Sequence, residues 1–325
     1  MKMNNIFIVC AMALCPICAH SQVSIAHFKG DCAAAISYTF DDGLLEHYTV
    51  LFPQLKKYNI KASFCVNGNT IDRYEHLLNI GDTTDVLIKE KPRTTWAMLR
   101  EMSDQGQEIT SHGWAHKNVN KLDGEKLRYE VQHNDTAIWK HTGKFPRTYF
   151  YPGNAKSPEK IAYCEQERVG TRTEQVSIGS KRNETWLRQW VKDLISNHKW
   201  GVGMTHGISY GYDHFTNPQI LWNLFEYISH LRDSVWVDTF HDISAYTKER
   251  DAISLKKKVR KQEIIVTPTL SLDKKLFYQP LTMIVQQNLL SATQDGKQLS
   301  ITNKNNHSLI DFNPHGGKII LKIKK

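Results

Sequence analysis

The 325-residue chain is poor in cysteine and lacks an apolar run long enough to cross a bilayer. Its first apolar run, residues 6–19, is shorter than the roughly 20 residues that a transmembrane helix needs. Three of its six cysteines fall in that run, and the others, Cys32, Cys65 and Cys164, are widely spaced. This spacing predicts neither a disulfide framework nor a cysteine metal site. One disulfide with one buried thiol, or three buried thiols, both agree with it.

The chain also lacks internal repeats, low-complexity linkers and any nucleic-acid-binding motif, so no nucleic-acid partner is expected. Its apolar fraction of 40% and charged fraction of 23% are ordinary for a folded protein. This composition excludes a disordered or collagen-like chain. The length suffices for one large core, or for one core with a small second module.

The N-terminus has the composition of a signal peptide. Lys2 precedes the apolar run, and the small residues Ala19 and Ser21 follow where a signal peptidase requires them. Residues 1–21 are therefore predicted to be removed on export to the periplasm or beyond, which leaves no transmembrane segment in the mature chain. A lipid-anchored form is an alternative because Cys15 and Cys18 lie here, but each follows a bulky apolar residue.

Positive charge is concentrated at the C-terminal end. Residues 253–325 hold 13 Lys and Arg against 4 Asp and Glu, whereas residues 1–252 hold 29 of each. The excess charge would allow this part to bind an anionic envelope polymer. The alternative, which we favour, is that the lysines keep exposed strand edges from pairing with other molecules.

From Cys32 to about Asp251, strand-like apolar runs alternate with helix-like stretches. This alternation predicts an α/β fold, with helices around a mostly parallel sheet or barrel. The first buried strand is expected at 33–40 and a helix at 44–58, whereas residues 72–93 are expected to be an insertion or long loop. Polar residues follow several strands directly, where parallel α/β folds build their sites.

After about residue 252 the pattern changes to short alternating runs separated by turn signals at Asp295-Gly296 and Gly316-Gly317. Such runs predict a small antiparallel β module. The predicted organisation is therefore a signal peptide at 1–21, an α/β domain at 22–252 and a β module at 253–325.

Asp41 and Asp42 end the first predicted strand, directly before Gly43. Taken alone, an Asp-Gly pair is a common turn. Adjacent side chains on an extended segment point to opposite sides, so the two carboxylates are not expected to share one role. One of them would bind a metal ion, while the other would act as a base.

His112 and His116 lie four residues apart and can close on one metal ion from a helix or a loop. With one aspartate they would leave a zinc-like ion an open coordination position, which a catalytic site requires. His206 follows another strand and is the candidate that protonates a leaving group. His214 and His241 are its competitors.

Four short segments resemble, in order, the motifs of the polysaccharide deacetylases of carbohydrate esterase family four. They are Thr39-Phe40-Asp41-Asp42-Gly43, Ser111-His112-Gly113-Trp114-Ala115-His116, Phe150-Tyr151-Pro152-Gly153 and Met204-Thr205-His206-Gly207. The resemblance covers roughly residues 32–250. It implies a distorted (β/α) barrel that removes acetyl groups, N-linked or O-linked, from a polysaccharide or oligosaccharide.

The resemblance also implies a role for each candidate residue. Asp41 matches the catalytic base and His206 the general acid. The residues that match the ligands of one divalent ion, Zn²⁺ or otherwise Co²⁺, Ni²⁺ or Mn²⁺, are Asp42, His112 and His116. A backbone N–H of the segment Tyr151, Pro152 and Gly153 would stabilise the oxyanion or contact the substrate.

The sequence departs from the family pattern in its third motif, so Arg147 is not required to pair with the base. It also lacks a clear Asp-Trp motif between residues 153 and 200. This gap motivates an alternative function, a non-catalytic carbohydrate-binding protein on the same fold. The aromatic residues in or beside the motifs would either stack on sugar rings or serve as packing. They are Trp114, Tyr149, Tyr151, Tyr210 and Tyr212.

Overall fold

The computed structural model describes residues 23–324, so the predicted signal peptide lies outside the described residues. Residues 23–252 form strands that alternate mostly with helices. The strands are β1 (Val23–Ile25), β2 (Ala34–Asp41), β3 (Ser63–Val66), β4 (Glu108–Ser111), β5 (Thr148–Phe150), β6 (Gly170–Arg172), β7 (Val176–Ser177), β8 (Trp200–Thr205) and β9 (Val235–Val237). The helices are α1 (Phe52–Tyr58), α2 (Gly68–Asn79), α3 (Val86–Lys89), α4 (Trp96–Asp104), α5 (Gly124–Arg128), α6 (Asn134–Thr142), α7 (Pro158–Cys164), α8 (Glu184–Ser196), α9 (Gln219–Ser229) and α10 (Phe240–Ala252).

Strands β2 to β9 form one parallel sheet, which confirms the predicted α/β class and distorted (β/α) barrel. Its order is β6-β5-β4-β3-β2-β8-β7, and β9 pairs with the beginning of β2. The sheet curls, so the carboxyl ends of β2, β4, β6 and β8 converge on one mouth. The candidate residues follow these ends.

The central strand β2 is buried on both faces and alternates between them. Ile36, Tyr38 and Phe40 pack in the main core against the surrounding helices. Thr39 and Asp41 point into the interior of the curled sheet, where their polar atoms meet a buried arginine. Each large apolar side chain buried in this way contributes about 1.5–3 kcal/mol to folding. The helices therefore hold the outside of the sheet, while the inside is free to carry polar groups.

The segment 72–93 is not the long loop that the sequence analysis expected. Helix α2 continues to Asn79 and α3 follows at Val86–Lys89. Ile71, Tyr74 and Leu77 recur every three residues, which places them on one face of α2, and all three are buried. The expectation was wrong because this narrow apolar stripe lies among many polar residues.

The C-terminal part consists of two antiparallel sheets, as expected for a β module. Its strands are β10 (Ser254–Arg260), β11 (Glu263–Thr269), β12 (Leu281–Val285), β13 (Leu289–Gln294), β14 (Lys297–Gln298), β15 (Ile301–Asn303), β16 (Ser308–Phe312) and β17 (Ile319–Ile323). One sheet has the order β10-β11-β17-β13-β14, and the other β1-β12-β16-β15. Strand β1 thus joins a C-terminal sheet, and Tyr246 of α10 lies in the core shared by both. The division into domains at residue 252 stays a prediction.

The three cysteines within residues 23–324 are buried and free. The sequence left two alternatives, and the structure agrees with the one in which all three cysteines are buried thiols. Burial raises the pKa of Cys32 to about 11 and that of Cys164 to about 12, so both are protonated at neutral pH. In the same part of the chain, no helix has both the length and the apolar character needed to cross a bilayer.

Glu249 lies on α10 where this helix meets the C-terminal sheets. Its carboxylate is buried and accepts a hydrogen bond from the backbone N–H of Gln279 (2.9 Å). The second oxygen, Oε2, has no hydrogen-bond partner in the described structure. Burial raises the pKa of Glu249 to about 7, because the ionised form loses water that the protein does not replace.

We expect Glu249→Gln to stabilise the protein increasingly as pH rises from about 4.5 to about 7. In this window the folded wild type retains a proton that the unfolded chain releases, so raising pH favours unfolding, whereas glutamine has no proton to lose. The difference in the free energy of unfolding should reach roughly 1–2 kcal/mol at pH 8. Urea titrations at several pH values measure it. Glu226→Gln, at an exposed position of α9, is the control, and an equal gain at every pH would contradict the prediction.

Candidate active site

Asp41, at the end of β2, forms a buried ion pair with Arg172, at the end of β6. The guanidinium donates to both carboxylate oxygens, from Nη1 to Oδ1 (2.7 Å) and from Nη2 to Oδ2 (2.6 Å). Nη1 also donates to the hydroxyl of Thr39, and the guanidinium lies over the ring of Phe150, 4.3 Å from its centroid. This bidentate geometry fixes the orientation of the carboxylate.

The charge of Asp41 is set by this pair. Burial by itself would raise the pKa of the carboxyl, but Arg172 outweighs it and holds the pKa well below its usual range. The thiol of Cys65 donates a further hydrogen bond to Oδ1 (3.2 Å). Asp41 is therefore an ionised carboxylate throughout the neutral range.

Asp42 departs from the extended backbone of β2. Its φ is +76° and that of Gly43 is +61°, so two successive residues adopt left-handed conformations. Aspartate tolerates this conformation better than most residues, because its short polar side chain finds local partners. The turn carries the Asp42 carboxylate to the mouth of the sheet, whereas Asp41 stays inside.

Asp42, His112 and His116 converge on one point. Oδ1 of Asp42 lies 3.7 Å from Nε2 of His112 and 3.7 Å from Nε2 of His116. The ligand atoms of the three residues all lie within 4.8 Å of one another. Oδ1 is buried and has no hydrogen-bond partner among the described residues.

The two histidines belong to a loop that is shaped around a buried glutamate. Glu130 accepts hydrogen bonds from the backbone N–H groups of Ala115 (3.0 Å) and Lys117 (2.9 Å). Below the loop, His112 Nδ1 bonds to the carbonyl oxygen of Phe150 (2.8 Å). A carbonyl only accepts, so Nδ1 carries the proton and Nε2 presents its lone pair toward Asp42.

These residues fit a divalent ion. Ligands about 2.1 Å from a tetrahedral zinc ion lie roughly 3.4 Å apart, close to the separations observed here. The unpartnered carboxylate oxygen and the unprotonated Nε2 of His112 both supply lone pairs. Two imidazoles and one carboxylate also leave room for a further ligand, as catalytic zinc sites do.

His206 follows β8 and is held in place by two buried carboxylates. Glu46 accepts hydrogen bonds from the backbone N–H of Ile208 and from the N–H and hydroxyl of Ser209. The carbonyl oxygen of Asp213 accepts a hydrogen bond from the N–H of His206 (2.9 Å). The carboxylate of Asp213 accepts hydrogen bonds from the hydroxyls of Ser177 and Ser180. Glu46 and Asp213 thus both fix the polar loop that contains His206.

The close fit of this loop requires a glycine at position 207. A Cβ at Gly207 would lie 1.9 Å from the carbonyl oxygen of Tyr210 and 2.5 Å from a carboxylate oxygen of Glu46. Separations that short do not occur in proteins. The glycine of the fourth motif therefore lets Glu46 reach the backbone N–H groups that follow His206.

The imidazole of His206 lies near Asp41, and a positive charge on this ring lowers the pKa of the Asp41 carboxyl. Its Nδ1 is buried without a hydrogen-bond partner in the described structure. The ring of Tyr212, which is 91% exposed, meets the imidazole edge-to-face at 5.4 Å. Of the two competing histidines, His214 lies in the loop that follows His206 and bonds to the carbonyl of Gly211, whereas the backbone N–H of His241 donates to Glu108 at the opposite end of the sheet.

The third motif lies at the end of β5. The side chains of Tyr149 and Tyr151 are buried, which leaves the packing alternative for both of them. Pro152 is buried as well, whereas Gly153 is exposed with φ +59°. The segment Tyr151–Gly153 therefore reaches the mouth with its backbone, while its tyrosine ring does not.

A comparison of sequences agrees with this geometry. The profile of the family described as polysaccharide deacetylase matches residues 29–169. This segment belongs to the polysaccharide deacetylase family. The match covers the first three motifs, and β8 with His206 completes the mouth beyond it.

Two curated relatives are similar in sequence to part of this chain. The peptidoglycan-N-acetylmuramic acid deacetylase PdaA of Bacillus subtilis is 24% identical over 180 residues, which cover 55% of this chain and 54% of that protein. The peptidoglycan-N-acetylglucosamine deacetylase PgdA of Listeria monocytogenes is 29% identical over 121 residues, which cover 37% of this chain and 22% of that protein. The chain thus spans about half of the first relative and less of the second.

A solved structure shares the fold of much of this chain. It is described as a putative polysaccharide deacetylase from Mycobacterium smegmatis and is 13% identical. The TM-score is 0.53, and the match covers 70% of this chain and 94% of that one. At 70% of this chain, the likeness covers more residues than the segment 29–169.

Four residues that shape the candidate site were not predicted from the sequence: Glu46, Glu130, Arg172 and Asp213. Arg147, the arginine considered from the sequence, lies on Phe145 and bonds to the carbonyl of Glu167 instead. Glu46 follows the first motif by only a few residues, and Asp213 lies in the loop after His206. Their nearness to the motifs was the available signal. No comparable signal marks Arg172.

We expect Arg172→Gln to destabilise the protein by about 3–5 kcal/mol, because it leaves the Asp41 carboxylate buried without its partner. The double variant Arg172→Gln/Asp41→Asn should lose less, since no uncompensated charge remains. Urea unfolding at pH 7 measures both. Arg188→Gln is the matched control, because Arg188 forms a half-exposed pair with Glu184, worth about 0–1 kcal/mol. If Arg172→Gln lost no more than this control, the buried pair would not be structural.

Proposed function

We propose that this protein is a metal-dependent hydrolase that removes acetyl groups from an acetylated polysaccharide or oligosaccharide. The observation that carries the proposal is the convergence of Asp42, His112 and His116 beside Asp41 and His206. Hydrolysis of an acyl group requires a base, a group that activates the carbonyl and an acid for the leaving group. The site has a carboxylate inside the sheet, three potential metal ligands at its mouth and a histidine from another strand.

Asp42, His112 and His116 would hold one divalent ion, with zinc the first candidate and cobalt, nickel or manganese as alternatives. When bound, such an ion polarises the acetyl carbonyl and makes water a stronger acid. The backbone hydrogen bond of His112 fixes the tautomer that this role needs. The left-handed turn at Asp42 aims its free oxygen at both imidazoles.

Asp41 is the proposed base. Arg172 and Thr39 hold its carboxylate in one orientation and keep it ionised, so it is ready to accept a proton from the attacking water. The cost of holding this charge inside the sheet is offset by the arginine. Replacement of the carboxylate by an amide would remove the proton acceptor but keep nearly the same shape.

His206 is the proposed general acid. It protonates the sugar nitrogen or oxygen as the bond to the acetyl carbon breaks, because an amine or alkoxide leaves poorly without a proton. The contacts of Glu46 and Asp213 hold the backbone of His206 and of the loop that follows it. The backbone of Gly153 is the proposed donor to the oxyanion.

The substrate is proposed to be a polymer with N-acetyl or O-acetyl groups outside the cytoplasm. Two relatives are named for peptidoglycan sugars that carry N-acetyl groups, which supports the N-acetyl alternative. The predicted signal peptide supports export to the compartment where such polymers occur. The exposed ring of Tyr212 offers a surface on which a sugar can stack.

One observation favours a second function, a non-catalytic carbohydrate-binding protein. A catalytic histidine is usually oriented through its second ring nitrogen. The Nδ1 of His206, in contrast, has no hydrogen-bond partner within residues 23–324. The complete set of Asp41, Asp42, His112 and His116 supports the enzyme more strongly.

We expect acetate release from either chitooligosaccharides or acetylated xylan when zinc is added, and a loss of at least about a thousandfold for Asp41→Asn because its proton acceptor is gone. The amide should leave the ion bound, since Asp41 is not among the proposed ligands. Acetate is measured enzymatically, and metal content by elemental analysis of the same samples.

Asp311→Asn, at an exposed site in the C-terminal part, is the control for this test. A wild-type rate for Asp41→Asn would disprove its role as the base. Glycan binding without acetate release, under each of the four metal ions and on both substrates, would favour the non-catalytic function.

We expect Tyr212→Ala to raise KM for an oligosaccharide about 3–10-fold with little change in kcat, because a stacking surface for the sugar is lost. Steady-state kinetics over a range of substrate concentrations measure both constants. Tyr278→Ala is the matched control, since Tyr278 is also exposed but lies beside the C-terminal sheets. An equal effect of the two substitutions would exclude sugar stacking at Tyr212.

A further inference from the structure

Arg93 lies beside the candidate site, but the proposed mechanism does not use it. Its backbone pairs with Leu44 in a short antiparallel bridge, directly after the two aspartates of the first motif. The next residue, Thr94, donates from its N–H to the carbonyl of Gly43 (2.8 Å). On the other side, the hydroxyl of Tyr210 donates to the carbonyl that precedes Arg93 (2.9 Å). Arg93 is thus anchored between the first motif and the loop of His206.

The guanidinium of Arg93 is half-buried and has no partner in the described part of the chain. Its Nε is fully buried without a hydrogen bond. Burial lowers the pKa of Arg93, although the charges of Asp42 and Tyr210 act in the opposite direction. The charge of the Asp42 carboxylate acts on Arg93, but its Oδ1 faces Nε2 of His112 and Nε2 of His116, each at 3.7 Å.

The two buried arginines among the described residues are paired. Arg172 binds Asp41, and Arg168 binds Asp135. A guanidinium that is taken out of water without a partner costs free energy, and proteins rarely retain one without a use. The backbone around Arg93 is hydrogen-bonded on both sides, so the fold itself holds this charged residue at the mouth.

A guanidinium matches a carboxylate in shape, since two parallel N–H groups meet two oxygens. The charges of Asp42 and Tyr210 act on the guanidinium of Arg93, and its backbone lies between Leu44 and Tyr210. In the proposed mechanism, by contrast, the acetyl group has to lie between Asp41 and His206. The charge of Arg93 is therefore offered at the rim, where a substituent of the sugar would pass, rather than at the reacting carbonyl.

We propose that Arg93 binds a carboxylate carried by the saccharide, so that the protein prefers acetylated glycans with acidic sugars over neutral ones. This inference rests on the proposed function for its substrate, and it names the chemical class of that substrate. Arg93 is then a specificity-determining residue, and Tyr210 helps to position it.

The test compares two glycans of equal length, one of N-acetylglucosamine alone and one that alternates it with N-acetylmuramic acid, which carries a carboxylate. In Arg93→Gln, the ratio of kcat/KM for the acidic glycan to that for the neutral glycan should fall about tenfold or more. Arg93→Lys retains the charge but not the paired N–H groups, and should give an intermediate ratio. Arg100→Gln, on the exposed side of α4, is the control and should leave the ratio unchanged.

Binding gives a readout that does not depend on turnover. Titration calorimetry on chelator-treated protein measures the affinity for both glycans without acetate release. Wild type should bind the acidic glycan more tightly, and Arg93→Gln should lose most of that difference. If no acetate is released from any glycan but this difference remains, the proposed function fails while the inference about Arg93 stands.

Two outcomes would overturn the inference. A fall in kcat/KM by the same factor for both glycans would show that Arg93 acts on the reacting group or on the fold. Weaker inhibition by free acetate, with an unchanged ratio between the glycans, would assign Arg93 to the product instead of the sugar.

Discussion

The ion pair between Asp41 and Arg172 connects the central strand of the parallel sheet to one of its edge strands. In a flat sheet, the four strand spacings between β2 and β6 would separate them by roughly 19 Å, which no arginine side chain spans. The contact therefore exists only because the sheet curls. In turn, the pair compensates a charge that would otherwise make a closed interior unfavourable. The shape of the sheet and the ionised state of Asp41 thus depend on each other.

The same principle recurs around the mouth, where buried carboxylates hold polar loops. Glu130 gathers the N–H groups of the loop that contains His112 and His116, and Glu46 gathers those after His206. A carboxylate that accepts several backbone N–H groups satisfies donors that cannot pair in a strand or helix. Irregular backbone can then be rigid, as a site with fixed distances requires.

The charges of the mouth separate into two kinds. Those of Arg172, Arg168 and Asp41 are paired inside the protein, and they define structure. Asp42 Oδ1 and Arg93 Nε are buried atoms without a hydrogen-bond partner in the described structure. Their two segments lie side by side, because Leu44, two residues after Asp42, pairs with Arg93. The first is suited to a cation and the second to an anion, which is the division expected of a site that binds both an ion and an acidic substrate.

The sequence by itself determined the alternation of strands and helices, the antiparallel C-terminal part and the residues that meet at the mouth. It did so because strand periodicity, turn chemistry and the spacing of His112 and His116 are local properties. It did not reveal that residues 72–93 contain helices, because their apolar stripe is narrow. Only the tertiary structure decided which arginine pairs with Asp41, since Arg172 lies 131 residues away and meets it through the curl of the sheet. Long-range closure depends on packing over the whole sheet, and no short segment encodes it.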